Sequence, residues 1–357
     1  MNRRFLKACS LLTASLLMIL TATGCGSQAS SSANGASAAS GSAATTGSAD
    51  DTVYTCIVAH SMAEDSARHQ SFLYFEEELE KRTGGRIQVE VNGNGVMGGD
   101  DELMDMCKMN TIQVTSGSGF EKANKKYSLY QMPFLFSTVD EFDTVLKSDF
   151  EKKIQEGAKA NGYYIPATGV QGGFRQITNN LRPINTPDDI AGMKIRVPGL
   201  TPVVKTMEAL GVNTQQIPYN DTYLALQTGV VDGQENPTAN IVEKKFYEVQ
   251  KYLSMVNYII CPECFFTNLS WYESLPADLQ EIYDEVAAEA IEMRTEDWLA
   301  SDDANIQLLS EQCEMNEISA ENLELFREKC MPVWQSFIDE GYFTQEDLDE
   351  VLSILGR

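Results

Sequence analysis

From Pro276 to about Gln312 the sequence contains no glycine and no further proline, and its apolar residues recur at helical spacing. One unbroken helix over that stretch is about 50 Å long, more than the diameter of a small domain. Such a helix has to brace a larger body, and 357 residues supply about two domains. Upstream, strand-like and helix-like runs alternate. Strands are predicted at Val53–Ala59, Arg86–Val91, Ile112–Ser116, Tyr163–Thr168, Arg175–Thr178, Lys194–Val197, Asn213–Ile217, Val230–Asp232 and Tyr258–Leu269. Helices are predicted at Ala63–Thr83, Asp100–Met109, Thr138–Asn161, Thr201–Leu210, Asp221–Gln227 and Ala239–Lys245. Repeated βα units imply sheets covered by helices, an α/β class, and everything after the strand ending at Leu269 reads as helical.

The first 50 residues belong to a different regime. Arg3, Arg4 and Lys7 precede an uncharged run from Ala8 to Gly24, the layout of a secretory signal. The run ends in Leu20-Thr21-Ala22-Thr23-Gly24-Cys25, which resembles the lipobox of bacterial lipoproteins and makes Cys25 the expected lipidated residue. Its 17 uncharged residues are short for a membrane span, which takes about 20. In residues 26–49, 20 of 24 are Ser, Ala or Gly, too few apolar groups to order the segment, so it reads as a tether. Residues 1–24 are thus expected to be a signal peptide and residues 25–50 the lipidated Cys and its linker.

The net charge of -25 argues against nucleic acid as a partner and against docking on anionic lipid by charge. Gly93-Asn94-Gly95-Val96-Met97-Gly98 matches a dinucleotide-binding spacing. However, the following helix begins Asp100-Asp101-Glu102, which puts carboxylates where a pyrophosphate would sit. A turn is the better reading. Among the six cysteines after Cys25, Cys313 and Cys330 are the most plausible disulfide pair. Cys261 and Cys264 lie in an apolar run and read as buried thiols. Neither HExxH nor GxSxG occurs, and no nucleophile with an oriented base can be assembled, so no catalytic residue, metal or cofactor is expected.

Arg175 and Arg196 fall on predicted strands among apolar or small neighbours. A buried guanidinium needs a partner, either a ligand carboxylate that fits its planar fork or an Asp or Glu of this chain. Four stretches then stand in one ordered line: Arg175–Thr178, Pro183–Pro198 with its Lys194-Ile-Arg-Val197 core, Tyr223–Pro237 ending Gln-Glu-Asn-Pro, and Phe246–Leu253. Together they resemble the DctP-type solute-binding proteins of TRAP transporters, and weaker similarity runs from about residue 53 to 340. The resemblance implies a two-lobed, periplasmic-binding-protein-like fold with hinge strands, a long helix spanning both lobes, and an extracytoplasmic location. The expected lobes are 51–173 with 261–300, and 174–260 with 301–357. It implies a receptor, not an enzyme, that closes on an organic acid and passes it to a membrane permease, working as a monomer.

By the same resemblance Arg196 pairs with the ligand carboxylate, and Arg175 and Asn236 join it. His60, Asp101 and Ser118 are further ligand contacts, and Tyr219 packs against the ligand body. Ser118 stands where some members carry an acid, which argues against a sialic-acid-like ligand. A His and an Asp facing two Arg suit a sugar acid such as a uronate. C4-dicarboxylates are the alternative within the family, and a secreted enzyme acting on acidic sugars is the alternative outside it.

Overall fold

The computed structural model describes residues 52–117 and 119–357. The signal-like run, Cys25 and the whole tether lie outside the described residues, as does Ser118. Among the described residues thirteen strands are present: β1 Tyr54–Ala59, β2 Ile87–Asn92, β3 Val114–Thr115, β4 Tyr163–Tyr164, β5 Thr168–Phe174, β6 Gln176–Asn179, β7 Lys194–Val197, β8 Asn213–Gln216, β9 Gly233–Asn236, β10 Tyr252–Met255, β11 Ile260–Cys264, β12 Phe266–Asn268 and β13 Glu314–Glu317. They form a five-stranded sheet in the order β2-β1-β3-β12-β4 and a six-stranded sheet in the order β13-β10-β6-β9-β7-β8. The antiparallel pair β5 and β11 forms a ribbon of its own. Each ribbon strand leaves one sheet and enters the other: β5 runs from β4 to β6, and β11 runs from β10 to β12. The α/β, two-lobed architecture is therefore built on sheets that exchange strands.

Local chemistry explains the elements that frame the cavity. The helix Ala67–Arg82 starts at Ser66, whose hydroxyl accepts from the His69 amide, a standard N-cap, and so begins four residues later than the sequence pattern alone predicts. It buries Phe72, Phe75 and Leu79 on one face and stops at Gly84 and Gly85, both at positive φ. The long helix runs Ala277–Gln312 as expected and buries Leu279, Tyr283, Val286, Ala287, Ala290, Ile291, Arg294 and Trp298 at three- and four-residue steps. It packs on the helix Ala67–Arg82, on β5, on the helix Thr238–Glu243 and on β13, so it touches both sheets' surroundings. Where it crosses β5 the contact is close. A Cβ on Gly169 would come within 2.4 Å of Thr295 Oγ1, so glycine is required there.

Several expectations are corrected. The predicted helix Thr138–Asn161 is two helices, Val139–Leu146 and Asp149–Ala158, because Ser148 caps the second by accepting from the Phe150 amide. Arg175 sits in the break between β5 and β6, not within a strand. The strand predicted at Val230–Asp232 forms three residues later, as β9, and the run Tyr258–Leu269 divides at Phe265 into β11 and β12. The tail is not wholly helical, since Glu314–Glu317 adds β13 parallel to β10. Cys313 and Cys330 are both free thiols. They lie in separate apolar clusters, Cys313 with Leu309 and Leu253, and Cys330 with Phe326 and Phe337. Cys261 and Cys264 are buried and free, as read from the sequence.

Candidate ligand-binding site

A cavity of about 590 Å³ lies where β1, β7, β8 and β9 end, on the carboxyl side of the parallel strands, where open α/β sheets take their ligands. Ser61 and Met62 follow β1, Arg196 is the next-to-last residue of β7 with Pro198 just beyond its end, Gln216 ends β8 with Ile217 after it, and Asn236 ends β9. Gln171 and Cys261 reach it from the crossing ribbon. The Gly95–Gly99 turn forms one wall, with Gly95 and Gly98 at positive φ, and leads into the helix Asp100–Lys108.

The two arginines singled out by sequence have different surroundings. Arg175 is held by Glu235: Nε donates to Oε2, and Nη2 donates to Oε1 at 2.8 Å and to the Glu235 carbonyl at 3.1 Å. Its Nη1 approaches Cys261 Sγ at 3.3 Å, and Nη2 is 3.4 Å from Asn236 Oδ1. Arg175 thus has the structural partner that a buried charge demands, and still lines the cavity. Arg196 is only 2% exposed, donates Nε–H to the Ile217 carbonyl at 2.8 Å, and makes no ion pair among the described residues. Burial drives its guanidinium down to about 10 against the pull of Glu235, and the neighbouring Arg175 adds to the drop. It is a buried cation on the cavity wall with no ion-pair partner among the described residues.

The other predicted contacts divide. Asn236 and Tyr219 line the cavity; Asn236 donates to Gln234 Oε1, and the Tyr219 hydroxyl meets Asn240 at 3.2–3.3 Å while its ring packs edge-on against Phe246. Asp101 is at the mouth, largely exposed and 3.5 Å from Lys122. His60 is fully buried and does not line the cavity. Its ring stacks on Phe72, and its Nε2 lies 3.0 Å from His69 Nδ1. Ser118 lies outside the described residues.

Sequence reasoning missed a second cationic centre. Arg68 lines the cavity, and its Nε and Nη2 donate to the Glu263 carboxylate at 2.9 and 2.7 Å, while Nη2 also reaches Gln171 Oε1 at 3.2 Å. Glu263 also accepts from Arg294 at 2.6 Å and from Ser116 at 2.6 Å. The signal was available, because Arg68 falls four residues before Phe72 and so on the helix face that is buried. Arg294 likewise follows Ala290 and Ile291 at the apolar spacing of the long helix.

His60 supplies a pH-dependent expectation. Burial, then the charges of Arg68, His69 and Arg294, hold its imidazole down at about 2, whereas an unfolded histidine titrates near 6.5. Between those values the unfolded chain takes up a proton that the folded chain refuses, so stability falls as pH drops below 6.5. This one group is expected to cost about 2 kcal/mol between pH 7 and pH 5. Glu151 acts in the opposite sense, since burial raises its carboxyl to about 7. The check is therefore a difference: denaturant titrations of wild type and His60→Asn at pH 7 and pH 5, with the acid loss smaller by about 2 kcal/mol in the variant.

Two lobes joined by a crossing ribbon, with a cation-lined cavity between strand ends, define a ligand-capturing protein. The chain belongs to the bacterial extracellular solute-binding protein family 7, DctP, whose profile matches residues 58–340. It is 28% identical over 286 residues to the C4-dicarboxylate-binding periplasmic protein DctP of Shewanella loihica, covering 79% of this chain and 84% of that one. Among solved structures it is similar to the sugar acid binding protein of Advenella mimigardefordensis in complex with galactonate, with a TM-score of 0.79, 28% identity, and coverage of 85% of this chain and 98% of that one. It is also similar to a TRAP periplasmic solute binding protein of Shewanella oneidensis with bound succinate, with a TM-score of 0.80, 25% identity, and coverage of 85% and 100%. No helix among the described residues is long and apolar enough to cross a membrane.

Proposed function

We propose that this chain is the extracytoplasmic receptor of a TRAP uptake system, capturing an organic acid and delivering it to a membrane permease. The observation that carries the reading is Arg196, a buried guanidinium on the cavity wall that makes no ion pair among the described residues. A carboxylate arriving there supplies the partner that burial demands, and the planar fork suits it. Asn236 and Arg175 flank that position, and Tyr219 gives a flat wall for the ligand body. Capture works by closure of two lobes, 51–173 with 261–300 and 174–260 with 301–357, about the β5–β11 ribbon, excluding water and strengthening the ion pair. Binding, without chemical conversion, is the whole activity. The lipidated Cys25 and its tether hold a monomeric receptor near the permease.

A sugar acid such as a uronate is the favoured ligand; the galactonate complex of a 28% identical protein supports it. C4-dicarboxylates are the second reading, supported by the relatives of that name and by the second cationic centre at Arg68. A thermal-shift screen of organic acids tests the reading. A ligand at 100 times its Kd adds about 2.7 kcal/mol to the folded state, a rise of about 4 °C for a chain this size. The expected result is such a rise with a hydroxylated monocarboxylate, and recovery of the acid unchanged. Conversion of the acid on incubation would mean an enzyme instead.

A further inference from the structure

The guanidinium charge around the cavity is cancelled unevenly. Arg175 is matched by Glu235. Arg68 and Arg294 share the single carboxylate of Glu263, and Arg196 makes no ion pair among the described residues. Two separate places are therefore each short of one negative charge. On that count alone, an acid with a carboxylate at each end would be the natural complement.

Asp100 breaks the symmetry. It is the first residue of the helix Asp100–Lys108, where the helix dipole favours its charge, and it lines the cavity next to Ser61, whose hydroxyl donates to Oδ1. Its charge acts on both Arg68 and Arg196. The other acids of the lining, Asp101, Glu102 and Asp221, are exposed to solvent, and Glu102 folds back onto the Gly99 amide. Glu243 also acts on Arg68, but it accepts from the Ala63 amide off the cavity wall and does not act on Arg196 as Asp100 does. Asp100 thus already occupies the electrostatic position of a second ligand carboxylate. Like charges confined away from bulk water repel strongly, whereas an uncharged hydroxylated end meets no such repulsion.

We infer that Asp100 sets the charge of the accepted ligand at one, admitting a carboxylate at Arg196 and rejecting a second carboxylate at the Arg68 end. This deepens the receptor reading above and rests on it. It makes Asp100 a specificity-determining residue that works by exclusion.

Calorimetric titration of D-galactonate, D-galacturonate and succinate into wild type, Asp100→Asn, Asp105→Asn and Arg196→Ala tests it. Wild type should bind one of the sugar acids at least tenfold more tightly than succinate. Asp100→Asn, of equal size but uncharged, should tighten succinate binding at least tenfold. Asp105→Asn, which removes an exposed carboxylate of the same helix that pairs with Lys122 off the cavity wall, should leave the preference where it was. Wild type preferring succinate, an unchanged preference in Asp100→Asn, or an equal change in Asp105→Asn would each overturn the inference. Arg196→Ala separates the two levels. Loss of all three acids leaves the receptor site standing whatever Asp100 does, and retention of them removes the site on which the inference rests.

Discussion

Arg196→Ala is expected to lose measurable affinity for the organic acid while folding as well as the wild type. Removing one member of a buried, hydrogen-bonded ion pair costs about 2–5 kcal/mol, or at least about 100-fold in Kd for a loss of ~3 kcal/mol. The second half of the expectation is the diagnostic one. Arg196 makes no ion pair among the described residues, and burial already disfavours its charge. Without ligand its removal strands no carboxylate, so the free protein should keep its melting temperature or gain a little. A structural arginine would behave in the opposite way. Arg196→Lys should also bind poorly, because an ammonium is a point charge and cannot present two parallel donors. Unchanged affinity in the alanine variant, measured by calorimetry, would remove Arg196 from the site.

Glu263→Gln is the change expected to damage the fold most. Its carboxylate is fully buried on β11 and holds Arg68, Arg294 and the Ser116 hydroxyl together. The amide keeps the shape but leaves two guanidinium groups in the interior without a counter-charge, a loss of about 3–5 kcal/mol. Burial alone would raise the pKa of Glu263, but Arg68 and Arg294 outweigh it and hold the carboxyl below its usual value. Its stabilisation is therefore complete at neutral pH and fades only as pH falls through that depressed value. Denaturant titration at pH 7 should give the full loss, and the difference between variant and wild type should shrink in strong acid. A variant as stable as wild type at pH 7 would mean that the three side chains are not energetically coupled.

These two cases mark how far the sequence could be read. Arg175 and Arg196 are equivalent in local pattern, each a lone cation among apolar or small residues. They part company only because β6 pairs antiparallel with β9 and sets Ile177 opposite Glu235, a pairing some 60 residues away in sequence. Nothing local encodes that. Asp100 and Asp101 are likewise adjacent, and about 100° of helix rotation puts the first beside Ser61 and the second at the mouth beside Lys122. The long helix and the βα alternation were legible because periodicity reports them directly, and the ordered motifs carry Arg196 and Asn236, both of which line the cavity. The strand β13 was not. Glu314-Met-Asn-Glu317 is short and polar, and becomes a strand only because β10 offers it an edge.

The exchange of strands also fixes when, during synthesis, either sheet can be finished. β12 lies between β3 and β4, so residues 266–268 must arrive before Val114–Thr115 and Tyr163–Tyr164 can be joined. The second sheet gains its outer strand only with Glu314–Glu317. An N-terminal fragment ending before residue 268 therefore holds no complete sheet of either kind. This ordering postpones completion of both sheets until most of the chain has been synthesised.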